Sequence, residues 1–104
     1  MPIGQNYWEK PLKDLLLQEL ERSGYSEISL FLFGSRAEGT AAAAVSDIDI
    51  GLKGKEPLSF ILLSHLHEKI DALNLPFKVD LVDFQKVSAE FAEHAMKGAV
   101  VWKN

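Results

Sequence analysis

"FGSRAEGTAAAAVSDIDIGL", residues 33–52, sets a glycine-serine turn ahead of Asp47 and Asp49, two aspartates separated by one apolar residue. The alternation in "SDIDIGL" over residues 46–52 predicts a strand, with Asp47 and Asp49 on one face and Ile48 and Ile50 on the other. Residues two apart on a strand lie about 6.6 Å apart and point the same way. Both carboxylates can therefore reach a shared ion, either one divalent cation or two. Left unpaired on a partly buried sheet they would repel and lose solvation, a penalty that a metal removes. Hard cations such as Mg²⁺ prefer carboxylate oxygen, keep several waters and complete their shell with substrate phosphates. The preceding turn suits such phosphates: Gly34 lets the backbone approach closely, and the Ser35 hydroxyl and the N–H groups after it can bind anionic oxygens. Arg36 adds charge at the same place.

Working outward, "ISLFLF" over 28–33 reads as a strand buried on both faces that feeds this turn. Residues Ser35 to Gly39 suit a short helical turn, and Ala41 to Ala44 read as an extension of it or as a loop. Leu12, Leu15, Leu16 and Leu20 give a first helix from Trp8 to Arg22, with Pro11 near its start and Gly24 as its stop. Leu58, Ile61, Leu62, Leu66, Ile70 and Leu73 predict an amphipathic helix from Pro57 to Leu73. "FKVDLVDF" over 77–84 is a third strand, with Phe77, Val79 and Leu81 on one face and Lys78, Asp80 and Val82 on the other. If it lies beside the strand of Asp47 and Asp49, Asp80 joins them, ligates the metal nearer the attacking group and helps remove that group's proton. Asp83 points to the opposite face and is left out of the site. Ser88 is a candidate N-cap for a short helix through Phe91, Ala95 and Met96, and "AVVW" over 99–102 a terminal edge strand. The order of elements implies an α+β fold, a mixed sheet backed by helices.

With 104 residues, 47% of them hydrophobic, the chain fits a single domain over residues 1–104 with one modest core. That length leaves little room for separate binding and catalytic lobes, so a partner chain is expected to complete any chemistry, as a homo- or hetero-oligomer. The absence of cysteine excludes disulfides and thiolate sites and agrees with a reducing compartment, the cytoplasm. No apolar run approaches the about 20 residues that span a bilayer, and no signal-peptide pattern opens the chain, so no membrane association is expected. A net charge of −4 argues against charge-driven binding to nucleic acid. His65 and His67 do not share a helix face as a metal pair would, and no HExxH pattern is present.

The stretch 33–50 with Asp80 resembles the signature of the DNA polymerase β-like nucleotidyltransferases: Gly-Ser, a spacer containing glycine, Asp-x-Asp, then a third acidic strand. In a chain this short the pattern is most similar to the minimal nucleotidyltransferases, the MntA-like antitoxins of prokaryotic toxin–antitoxin pairs. The resemblance implies a polymerase β palm-like nucleotidyltransferase fold. It also implies metal-dependent transfer of a nucleoside monophosphate, AMP from ATP, to a hydroxyl, with pyrophosphate leaving. By position, Gly34, Ser35 and Arg36 match the triphosphate-holding turn, Asp47, Asp49 and Asp80 match the catalytic ligands of two Mg²⁺ ions, and Ser46 matches a residue that orients a carboxylate. In the antitoxin branch the acceptor is a tyrosine of a helical HEPN-type toxin, whose ribonuclease is silenced by adenylylation. Two departures stand out. Glu38 replaces a basic residue of many relatives, and Ala41 to Ala44 replace a polar or basic spacer, leaving Arg36 or a partner chain to supply positive charge. They support an alternative, a non-catalytic antitoxin or adaptor that neutralises a helical partner by binding alone.

Overall fold

A computed structural model of the chain describes residues 7–34, 37 and 47–104. Among them are helices α1 (Glu9–Arg22), α2 (Phe60–Asp71) and α3 (Ala89–Met96), and strands β1 (Ser29–Phe33), β2 (Ile48–Lys53), β3 (Val79–Asp83) and β4 (Val100–Lys103). The strands form one mixed sheet in the order β3-β2-β1-β4. β1 pairs antiparallel with β2 and with β4, whereas β2 and β3 run parallel. A parallel pair needs a crossover, and α2 supplies it.

Strand alternation divides the side chains between two cores. Leu30, Leu32, Ile48, Ile50, Leu52 and Val79 turn to the face covered by α1 and α2, where Leu12, Leu16, Leu62 and Leu66 meet them. Phe31, Phe33 and Phe84 turn to the other face, with Ala92 and Ala95 of α3 against them. β1 is therefore buried on both sides, as its unbroken apolar run implies. Gly51 lies among the aromatic rings, and a Cβ there would sit 2.3 Å from the Phe31 ring and 2.8 Å from that of Phe84.

Local chemistry sets the helix ends. α1 closes with Gly24 at φ +83, while the N–H of Gly24 bonds to the Glu21 carbonyl at 3.1 Å and that of Tyr25 to the Leu20 carbonyl at 2.8 Å. This is the paired arrangement that a left-handed glycine permits after a helix. α2 starts later than its apolar spacing implies. Ser59 caps it by accepting from the Leu62 N–H at 3.1 Å, and Leu58 lies in the extended segment before it. Ile61, expected in the apolar stripe, is 81% exposed. The Ser88 hydroxyl accepts from the Phe91 N–H at 3.0 Å and so caps α3 as its sequence implies.

The carboxylate cluster as a candidate active site

Asp49 lies mid-sheet, between a partner on each side. In the β2/β3 register its Cα partner is Asp80, and in the β1/β2 register it is Phe33. In-register neighbours project to the same face, so Asp49 and Asp80 share the side of the sheet that carries the phenylalanines. Asp47 immediately precedes β2, is exposed, and lies close enough to Asp49 to act on its charge.

Gly34 follows β1 at the same end of the sheet. Its φ of +79 is a left-handed conformation, and a Cβ there would come within 2.5 Å of Asp49 Oδ2. Glycine is required twice over, for the backbone and for the carboxylate beside it. The Ala37 N–H bonds to the Gly34 carbonyl at 3.1 Å. The predicted phosphate-binding residues Ser35 and Arg36, the carboxylate-orienting Ser46, and the departures Glu38 and Ala41 to Ala44 lie outside the described residues.

Burial chiefly, and then the charges of Asp80 and Asp47, push the Asp49 carboxyl above the usual carboxylate range. Asp80 has partial relief, with its Oδ1 3.5 Å from Lys78 Nζ. Among the described residues no three His, Cys, Asp or Glu side chains form a preassembled metal cage. The donor set nevertheless fits a hard divalent cation. It is all carboxylate, mutually repulsive and partly desolvated, and the missing side chain of Gly34 leaves the Asp49 oxygen its space. Asp80 also borders a cavity of about 470 Å³ lined by His67, Asn74, Leu75, Phe77 and Lys78. A larger cavity of about 580 Å³, lined by Tyr25, Gly54 and Leu58, lies at the opposite end of β1 and β2, away from the carboxylates.

Two polar groups have structural roles that residue spacing alone does not show. Asp83 is buried and accepts from the Leu58 N–H at 2.7 Å and the Gln85 N–H at 2.9 Å, tying the segment before α2 to the end of β3. Glu19 is buried on α1, where its Oε1 lies 2.6 Å from His65 Nε2 of α2 and its Oε2 3.3 Å from Arg22. The His65 hydrogen bond is the main cause that holds the Glu19 carboxyl below its usual range. The apolar helix pattern gives no sign of this buried acid, although a Glu on the Leu12, Leu16, Leu20 face is a usable signal.

A mixed sheet that aligns carboxylates of adjacent strands beside a glycine turn is the framework of a nucleotidyltransferase. The chain belongs to the polymerase beta nucleotidyltransferase family, which it matches over residues 18–104. It is 36% identical over 75 residues to the probable protein adenylyltransferase MntA of Haemophilus influenzae, a match covering 72% of this chain and 65% of that protein. It is also similar to a solved toxin–antitoxin structure with AMP-PNP, at a TM-score of 0.65 and 27% identity, over 86% of this chain and 71% of that one. A mutant of the MntA–HpeT toxin–antitoxin pair aligns with a TM-score of 0.63 and 28% identity, over 86% of this chain and 69% of the other. Among the described residues no helix is long and apolar enough to cross a membrane.

Proposed function

We propose that the chain is a metal-dependent nucleotidyltransferase that moves AMP from ATP to a hydroxyl, the acceptor being a tyrosine of a HEPN-type toxin, and that it thereby acts as the antitoxin of a toxin–antitoxin pair. The observation that carries this reading is the in-register placement of Asp49 and Asp80 on parallel neighbouring strands, with Gly34 against Asp49. Similarity to an adenylyltransferase and to a toxin–antitoxin structure with AMP-PNP supports the adenine nucleotide and the toxin partner.

Asp47, Asp49 and Asp80 would hold two Mg²⁺ ions, with Ser46 orienting one carboxylate. Ions held there polarise the α-phosphate and offset charge on the leaving pyrophosphate. Gly34 and Ser35, with Arg36, grip the tail of the triphosphate. Asp80, on the outermost strand of its side of the sheet, faces the incoming acceptor. It takes the proton of the attacking hydroxyl as the oxygen–Pα bond forms, while the bond from Pα to its bridging oxygen breaks and pyrophosphate leaves with the electron pair. The partner supplies the acceptor and its surroundings, and the reaction is cytoplasmic.

The test is incubation of the chain and its co-expressed helical partner with α-labelled ATP and Mg²⁺. Label is expected on a partner tyrosine, lost with Asp49→Asn or Asp80→Asn by about 100-fold or more, as when one group stabilising transition-state charge is removed. Unlabelled partner whose toxicity is still neutralised by both variants would show binding alone and refute the catalytic reading.

A further inference from the structure

The direction of transfer restricts where the nucleoside lies. The glycine turn that would hold the leaving pyrophosphate follows β1, Asp80 on the acceptor side belongs to β3, and β2 runs between them. In-line displacement puts the attacking and leaving oxygens on opposite sides of Pα, so this axis crosses the sheet from β1 to β3. The nucleoside, attached to the same phosphorus, must leave that axis sideways. Beneath the sheet, the close-packed aliphatic core under α1 and α2 blocks its way. That leaves the end of the sheet and the face that carries the carboxylates, and the face offers a platform.

On that face the next side chains are aromatic. Phe33 is the cross-strand partner of Asp49, and the Phe91 ring meets Phe33 edge-on, with centroids 6.2 Å apart and planes at 85°. Phe91 also lies 5.9 Å from Phe84. The rings beneath are sealed, Phe31 at 3%, Phe33 at 7% and Phe84 at 6% exposure, but Phe91 is 44% exposed. α3 buries none of its residues. Ala92 and Ala95 bring its backbone down onto the phenylalanines, and the Ser88 cap fixes its first turn, so the Phe91 ring stands out at the rim.

We infer that Phe91 is the platform on which the base of the nucleoside triphosphate stacks, one aromatic ring beyond the Asp49 carboxylate. The inference rests on the nucleotidyltransferase reading above and adds to it a residue for the base. Every nucleobase has a π-face, so stacking supplies affinity with little base selectivity, and removing one such aromatic typically weakens binding about tenfold or more.

The experiment compares two probes on the full chain by calorimetry with Mg²⁺: ATP, and inorganic tripolyphosphate, which has the phosphates without a base. Phe91→Leu keeps the packing against Phe33 and Phe84, Phe91→Ala removes it, and Phe91→Tyr keeps a stacking ring. The leucine and alanine variants are expected to weaken ATP binding about tenfold, to leave tripolyphosphate unchanged, and to recover with tyrosine. If ATP binds wild type and Phe91→Leu equally, the inference is wrong while the reading of the site stands. If wild type binds neither probe, that reading fails and the inference with it.

Discussion

Replacing Gly34 with alanine adds a methyl group whose consequences the structure divides into two parts. The first is conformational: at φ +79 an L-residue is in the left-handed region, at a cost of about 1–2 kcal/mol. The second is steric and concerns one atom. The new Cβ would lie 2.5 Å from Asp49 Oδ2, yet 3.4 Å from its Cγ and 3.6 Å from its Cβ. Only the outer oxygen must move, so the carboxylate can swing off its rotamer at about 0.5–1.5 kcal/mol. Gly24 isolates the first part, because its φ is +83 and a Cβ there meets nothing within 4 Å. Urea unfolding should therefore show Gly34→Ala costing about 1 kcal/mol more than Gly24→Ala. In an Asp49→Ala background that excess should vanish, since the opposing oxygen is gone. A displaced carboxylate should also slow AMP transfer by about 100-fold, the scale of a 1 Å misplacement. Strict additivity of Gly34→Ala and Asp49→Ala would refute the contact and the argument that Gly34 shapes the site.

Asp49→Asn should raise the melting temperature at neutral pH without divalent cations. The native carboxyl titrates above its unfolded value, so the folded state holds the extra proton in that interval, and stability declines as pH rises through it. The advantage of the asparagine variant should thus shrink on acidification below the ordinary carboxylate range, and thermal melts across pH check this. For wild type, Mg²⁺ at a hundredfold its Kd should restore about 2.7 kcal/mol, and the Asp49→Asn variant should lose this gain. Gly51→Ala should cost about 3 kcal/mol or more in a urea melt, because its Cβ would sit 2.3 and 2.4 Å from Phe31 ring atoms that cannot swing aside. Asp83→Ala strips acceptors from the Leu58 and Gln85 N–H groups and should destabilise by about 3 kcal/mol, with the fastest new hydrogen exchange at Leu58.

Much of this was legible in the chain because strand parity is a strong constraint. Ile48 and Ile50 had to face a core, which put Asp49 on the other face, and the same counting put Asp80 opposite Val79 and Leu81. Parity alone does not give strand order. That Asp80 stands beside Asp49 follows from the parallel β2/β3 pairing, which depends on how the α2 crossover packs. Apolar spacing places the start of α2 too early because Leu58 is buried, as a helix-stripe residue would be, yet reaches the core from the segment before the helix, held there by Asp83. Ile61 fits the helical period but faces outward, since the period fixes spacing and leaves the width of the buried stripe to the packing. The Glu19–His65 pair stayed hidden because its partners lie 46 positions apart on different helices.

The most direct test of the central claim is to locate a bound cation by paramagnetic broadening. Mn²⁺ would be titrated, with a non-hydrolysable ATP analogue, into isotopically labelled protein. Signals of Gly34, Asp47, Asp49 and Asp80 should broaden first, and the effect should disappear in Asp49→Asn and Asp80→Asn. Broadening centred on another part of the surface, or undiminished in both variants, would contradict the account.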